Sequence, residues 1–362
     1  MMESVMKPLA HLKVVEFASV LAGPAVGMFF AELGAQVIKI ENKTTGGDVT
    51  RGWKLPSEAP ESPVSAYWAS VNWGKTHELL DLKNPEALAH ALAVVAEADI
   101  VVSNFKPSFA RRIGLDAETL CARHPRLIYA QLNAYPDPED ERPAFDIVLQ
   151  AEAGFMYMNG AADGPPVRMP VALIDVLAAH QLKEAILIAL LRREQSGRGG
   201  VVQTSLLESA LASLVNQASN YLNAGFVPQR MGAQHPNITP YGDMLACRDG
   251  ELLLLAVGTE GQFEKLCTCL NAPELLLDAR FANNKQRVLH REALIDLLKP
   301  FFATKTAAEW LAVFDQNGVP AARLRDMKGV FEKPEAQAMI LESIDEGQSL
   351  RRMKTVAFEI TT

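Results

Sequence analysis

Short apolar runs alternate with longer stretches of helical spacing through the first two thirds of the chain. Residues 13–17 set Val14, Val15 and Phe17 in a short β-rich run. Leu21, Ala22, Gly23 and Pro24 follow as a turn. Pro24 suits a first helical turn, where its missing N–H would be unpaired in any case. Residues 25–33 carry helical spacing and stop at Gly34, and residues 36–41 read as a second strand. Strand, helix and strand within about 30 residues make a βαβ unit, which implies parallel strands. The alternation continues with a helix over 84–98, a strand over 100–102, a helix over 117–123 and a strand over 127–132. Residues 163–166 are a loop, 174–193 a long helix, 201–204 a strand and 206–222 a further helix. This order predicts a doubly wound α/β domain.

After Gly225 the pattern changes. Residues 244–247 and 252–257, joined through Asp249 and Gly250, predict a β-hairpin. Helices are expected near 260–270, 290–302 and 306–317. The domains expected are a large α/β unit over 1–225 and 325–362, and a small α+β unit over 226–324. The last 38 residues are charged and then end in an apolar stretch, 356–360, that suits a return to the first domain.

A chain of 362 residues is long enough to bury a core without disulfide or metal staples. Its 35 basic and 43 acidic residues give a net charge of −8, which argues against a general binder of nucleic acid or membrane surface. Cys121, Cys247, Cys267 and Cys269 form no CxxC pair, and no HExxH occurs, so no metal site is expected. Residues 1–7 lack an apolar signal core and no apolar stretch is long enough to span a bilayer. The expectation is a reduced, cytoplasmic protein. Gly23 and Gly27 do not make a G-x-G-x-x-G motif and no Walker A loop is present, which lowers the NAD and ATP readings.

Basic residues cluster after the strands: Lys43 and Arg51, then Lys75 and Lys83, then Lys106, Arg111 and Arg112. Ligands of open α/β sheets bind beyond the carboxyl ends of the strands, so these clusters suit a polyanion. A scatter of solvated charges is the competing reading. Asp175 is an isolated carboxylate in the apolar run 171–177. It either caps the helix that follows or serves as a nucleophile or acid–base group. The two roles are compatible, because a helix N-terminus keeps a carboxylate ionised. Asp146, Glu260 and His235 are structural or catalytic candidates of the same kind. Ser205 and Ser209 lack a nucleophile-elbow motif.

Several segments taken in order resemble one family. They include Val20–Pro24, residues 33–41, Gly47 to Arg51, Leu80 to Lys83, Asn104 to Pro107 and Arg112 to Leu115. Phe145 with Asp146, Asp175, Ser196 to Gly199, His235 to Ile238, and Ala256 to Gly258 complete the set. The chain resembles the class III coenzyme A transferases, the CaiB/BaiF family. The resemblance implies a Rossmann-like large domain with a parallel sheet, a smaller domain, and two subunits interlocked as rings in a homodimer. It implies acyl-CoA and a carboxylic acid as substrates, with no tightly bound cofactor. Asp175 falls on the family's catalytic aspartate. The CoA-contacting positions fall on or beside Leu21, Ala22, Lys43, Leu80, Lys83, Asn104, Phe105, Lys106 and Arg112. Asp175 would then be acylated in turn, and backbone N–H groups of the 258–261 loop are a candidate oxyanion site.

The chain also departs from the family. Racemase relatives place a histidine before the aspartate matched by Asp146, and here that position is Phe145. Proton exchange α to a thioester is therefore the lesser alternative, although Glu260 matches a further racemase acid. A CoA-binding protein without catalysis is the third reading. Leu21 replaces a glutamine near the thioester, and Lys75, Thr76 and His77 replace Lys-Arg-Ser. The chain ends soon after Phe358. Arg142 and Arg168 are candidates to meet a second carboxylate of a dicarboxylic acid. The sequence assigns neither the acyl group nor the acceptor.

Overall fold

A computed structural model describes residues 7–361, which fall into two compact units. The larger unit takes the chain as far as Met156, then Arg168–Val227 and the segment from Ala338 onward. Its centre is a six-stranded sheet of β1 (Lys13–Glu16), β2 (Gln36–Asn42), β3 (Lys75–Leu80), β4 (Ile100–Ser103), β5 (Ile128–Asn133) and β6 (Gly200–Ser205). The order is β3-β2-β1-β4-β5-β6 and every pair is parallel. Alternate strand residues feed two separate cores. Val14, Val37, Ile100, Val102, Ile128 and Ala130 pack with α1 (Ala22–Glu32) on one face. Val15, Ile40, Val101 and Tyr129 pack with α2 (Pro85–Ala96) on the other. That two-sided burial is why β4 reads as an unbroken apolar run.

Further helices are α3 (Pro107–Ile113), α4 (Ala117–Arg123), α5 (Asp146–Glu152) and α6 (Leu173–Ser196). The helix expected over 206–222 is two: α7 (Leu206–Ala212) and α8 (Val215–Ala224). Ser213 marks the break. Its hydroxyl donates to the Ser209 carbonyl at 2.7 Å, and Val215 adopts a φ of 40°.

The charged C-terminal stretch contains an unexpected antiparallel hairpin over residues 340–353. After it the N–H groups of Thr355 and Val356 donate to Glu32 in α1 at 2.8 and 3.0 Å. Phe358 lies 6.5 Å from Phe29, so the apolar tail joins the larger unit.

The second unit comprises Tyr157–Val167 and Pro228–Gln337. Residues 157–167 belong to it because Gly232 N–H donates to Gly160 O at 2.8 Å and Arg230 Nε donates to Gly164 O at 3.0 Å. Its sheet pairs β7 (Tyr241–Ala246) with β8 (Leu252–Ala256), and β8 with β9 (Ala321–Arg323), all antiparallel. Gly250 makes the β7–β8 turn at φ 79°, a conformation that favours glycine. The helices α9 (Glu260–Leu270), α10 (Arg291–Phe302) and α11 (Ala307–Asn317) supply Phe263, Leu298, Phe302 and Trp310 to the core under β8. In the larger unit, β10 (Ile340–Asp345) and β11 (Gln348–Met353) form the C-terminal antiparallel hairpin.

Candidate active site

The strand order reverses between β1 and β4, and the loops leaving these two strands make the site. Phe17 N–H donates to Val102 O at 2.8 Å, which extends the pairing past β1. Ser19 and Asn104 then lock the two loops together. Ser19 N–H donates to Asn104 Oδ1 at 3.2 Å, and Asn104 Nδ2 donates to Ser19 O at 3.1 Å. Gly23 is required here, because a Cβ at that position would collide with Ala18 Cβ.

Beneath these loops lies a buried charge cluster that the hydrophobic pattern does not announce. Lys39 donates to Glu16 and to Asp48, both at 2.9 Å, and Lys75 donates to Glu16 at 2.8 Å. All four side chains are buried. Burial pulls the Lys75 ammonium down to about 8 despite Glu16 beside it. The cluster corrects part of the polyanion expectation. Lys75 is a structural ion, Arg51 is held by Glu41 at 2.6 Å, and Arg111 is held bidentately by Glu139 at 2.9 Å. Lys43, Lys83, Lys106 and Arg112 make no ion pair among the described residues.

Two cavities open beside these loops and share Ser19, Val49, Asn104, Phe105 and Lys106 as a wall. One, of ≈ 390 Å³, is also lined by Leu21, Ala22, Phe145 and Asp175. The other, of ≈ 440 Å³, is lined by Asn42, Thr44, Leu80 and Lys83 as well. Seven of the nine expected contact positions therefore line one cavity or both. Lys43 is exposed between Asn42 and Thr44. Arg112 stands 5.3 Å over the Phe109 ring, which lines the second cavity.

Asp175 is in the first turn of α6, but it does not cap that helix. Ala172 is the N-cap residue and makes no side-chain cap. The acceptor is Asp146, whose Oδ1 takes the Ile174 N–H at 2.7 Å. Asp146 Oδ2 takes the Gln150 amide at 2.6 Å, and Gln150 Oε1 takes the Met169 N–H at 2.8 Å. Asp175 itself makes no hydrogen bond or ion pair among the described residues, although it is only 8% exposed. Burial first, and then the Asp146 charge, push its carboxyl up to about 7. Desolvation thus opposes the ionised form that a helix N-terminus favours. Tyr67 is pushed up to about 12 by burial and by the same two carboxylates.

Other candidates have structural occupations. Glu260 accepts from Arg287 at 2.7 Å and from the Asn284 N–H at 2.8 Å. In the 258–261 loop, the N–H groups of Gly258 and Thr259 both donate to Gln262 Oε1, at 2.8 and 3.1 Å. These bonds use donors that the oxyanion expectation requires. Ser205 caps α7, and Ser209 donates to Ser205 O at 2.7 Å. His235 Nδ1 accepts from Asn237 N–H at 3.1 Å. Arg142 is clamped by Asp140 at 2.7 Å and lies 3.9 Å over Tyr135. Arg168 donates to Pro170 O at 3.3 Å.

Comparison with known proteins gives a consistent picture. A family model described as CoA-transferase family III matches residues 9–361. The succinate–glutarate CoA-transferase of Agrobacterium fabrum is 37% identical, over 91% of this chain and 83% of that protein. The succinyl-CoA:glutarate CoA-transferase of Mus musculus is 34% identical, over 92% of this chain and 75% of that one. A crystal structure of a CAIB/BAIF family protein from Brucella suis shares 36% identity at a TM-score of 0.83, covering 97% of this chain and 92% of that one. The chain, with its parallel sheet and its cavities at the strand-order reversal, belongs to CoA-transferase family III, the CaiB/BaiF family, and is a CoA-transferase.

Proposed function

We propose that this enzyme moves CoA between a dicarboxylic acyl-CoA and a carboxylic acid acceptor through covalent intermediates on Asp175. The observation that carries the reading is a buried carboxylate, without a partner among the described residues, that lines a cavity at the carboxyl ends of β1 and β4. A Coulombically crowded, poorly solvated carboxylate is a stronger nucleophile than one in water. The dicarboxylic preference is drawn from the succinate–glutarate relatives.

The steps balance. A carboxylate oxygen of Asp175 adds to the thioester carbonyl, the C–S bond breaks, and CoA leaves as thiolate. The thiolate adds to the Asp175 carbonyl of the mixed anhydride, and the donor acid leaves as its carboxylate. The acceptor carboxylate then displaces the thiolate from the aspartyl thioester. Return of the thiolate to the acceptor carbonyl releases acyl-CoA and restores Asp175. The group-transfer energy of the thioester is conserved, because the anhydrides and the aspartyl thioester pass it on without hydrolysis. Lys43, Lys83, Lys106 and Arg112 suit the phosphates of CoA because none is held in an ion pair among the described residues, although Lys106 donates to the Glu141 carbonyl at 3.0 Å. Leu21, Ala22, Leu80, Asn104 and Phe105 supply the neutral surface. Phe145 has no proton to give, which disfavours the racemase alternative.

The reading includes a homodimer. Ile188 and Leu191 on α6, and Val215 and Leu222 on α8, are each at least two-thirds exposed, an apolar surface that suits burial against a second copy. A cytoplasmic setting fits four free cysteines. The test is mass spectrometry after mixing the protein with succinyl-CoA and hydroxylamine. A transferase gives a hydroxamate at Asp175. A racemase exchanges solvent deuterium into the acyl α-carbon without an adduct. A CoA-binding protein without catalysis does neither.

A further inference from the structure

Val20 adopts a φ of 75°, a left-handed conformation that costs a β-branched residue about 1–3 kcal/mol. Something must hold it there. Its N–H donates to both oxygens of the Asp48 carboxylate, at 3.1 and 3.3 Å. Asp48 is itself held by Lys39 at 2.9 Å and by the Thr50 N–H and hydroxyl at 3.1 and 2.8 Å.

The Val20 turn sets where α1 begins. Beyond it, the N–H groups of Leu21, Ala22 and Gly23 meet no acceptor among the described residues, and Leu21 gives no side-chain cap. Ala22 is only 4% exposed, and Leu21 and Ala22 line the first cavity, so their N–H groups are donors left for a ligand there. A second observation points to a ligand. Asp175, 8% exposed and without a partner among the described residues, lines the same cavity as Val20, Leu21 and Ala22. An attacked carbonyl needs a nucleophile at its carbon and hydrogen-bond donors at its oxygen. The first cavity here is lined by both the residues that carry the donors and Asp175.

We propose that Asp48 is a positioning residue for acyl transfer: by holding the Val20 turn it presents the N–H groups at the start of α1 to the anionic oxygen formed when Asp175 attacks a thioester. The proposal rests on the acyl-transfer reading above. The oxygen is fully charged only during addition, so these donors act on turnover more than on binding. If Asp48 were only a counter-ion for Lys39, its loss would lower stability and leave turnover per folded site untouched.

The test compares Asp48→Asn, Val20→Gly and the double variant, with kinetics expressed per folded site. Asp48→Asn is expected to lower kcat about 10- to 100-fold while the KM for acyl-CoA moves less than about threefold. Adding Val20→Gly restores most of that loss, because glycine holds a positive φ unaided. A spectroscopic arm uses Asp175→Ala, which binds acyl-CoA without reacting. Its bound thioester carbonyl stretch lies below the value in water, and Asp48→Asn abolishes that shift. Should Asp48→Asn not fold, Thr50→Val removes the hydroxyl on Asp48 and keeps the Lys39 pair, and kcat falls in the same direction. A wild-type kcat in the Asp48→Asn or Thr50→Val protein overturns the proposal. So does a kcat loss that Val20→Gly leaves unrepaired. Wild-type protein with no adduct at Asp175 overturns the acyl-transfer reading as well, whereas an adduct with indifferent Asp48 variants overturns this proposal alone.

Discussion

Replacing Asp175 by Asn should stabilise the larger unit, and should do so more at pH 8 than at pH 5. The carboxyl titrates at about 7 in the folded protein against an ordinary value of 3.8. The unfolded chain therefore releases its proton first, and folding must restore it. A raised acid loses stability as pH climbs from its unfolded value to its folded one, and the loss is complete above the latter. At pH 8 the penalty is about 4 kcal/mol, and at pH 5 it is about 2 kcal/mol. Asn carries no charge, so it escapes both. The difference between the two pH values is the diagnostic, because any intrinsic effect of the amide cancels. Urea unfolding can be followed by fluorescence of Trp53, Trp68 and Trp73, which lie in the larger unit, with Trp310 replaced by Phe to silence the smaller one. A stability gain equal at both pH values would refute the claim that Asp175 is stored in a desolvated, crowded position. Loss of stability at pH 8 would refute it more strongly.

Further expectations concern rate and binding. The kcat/KM for acyl-CoA should rise with pH through about 7 and level off above it, because the ionised carboxylate is the nucleophile. A profile flat from pH 5 to pH 8 would contradict this. Asp146→Asn removes the second cause of the shift and should move that limb toward acid. The movement should be less than half of the displacement from 3.8 to about 7, since burial is the larger cause. The same substitution keeps an oxygen for the Ile174 N–H, so circular dichroism should show α6 intact. Lys83→Ala and Lys106→Ala should each raise the KM for acyl-CoA about tenfold in low salt with kcat nearly unchanged. Arg51→Ala should leave that KM alone and cost about 1–2 kcal/mol of stability, because it removes one partner of a buried Glu41 that the Asp48 N–H and His77 still hold. Isothermal titration with CoA and chemical unfolding separate these two outcomes.

The parallel sheet was legible because strands buried on both faces read as apolar runs, and because caps announce the helices. Asn84 accepts from the N–H groups of Glu86 and Ala87, and Thr259 and Thr306 make capping boxes. Asp175 was legible through its isolation among apolar neighbours. Its immediate environment was not, since the residue that caps α6 lies 28 positions before Ile174. The Glu16, Lys39, Asp48 and Lys75 cluster was hidden for a similar reason. Its charges sit on three strands and a loop, and only the sheet order brings them together. The β10–β11 hairpin was masked by charge, although Glu346 and Gly347, at φ 52° and 73°, are the turn that its alternation calls for. The break between α7 and α8 depends on one hydroxyl competing for a helix carbonyl, which spacing alone does not reveal.

The most direct measurement follows an oxygen atom. The acceptor acid is supplied with both carboxylate oxygens as the heavy isotope, and the peptide containing Asp175 is weighed after turnover with acyl-CoA. Passage through the mixed anhydride leaves one labelled oxygen on Asp175 in the first turnover. Because each later turnover gives one Asp175 oxygen to the donor acid and takes one from the acceptor, the carboxylate approaches two labels over many. An unlabelled Asp175 beside a fully converted acceptor would contradict covalent catalysis by this carboxylate.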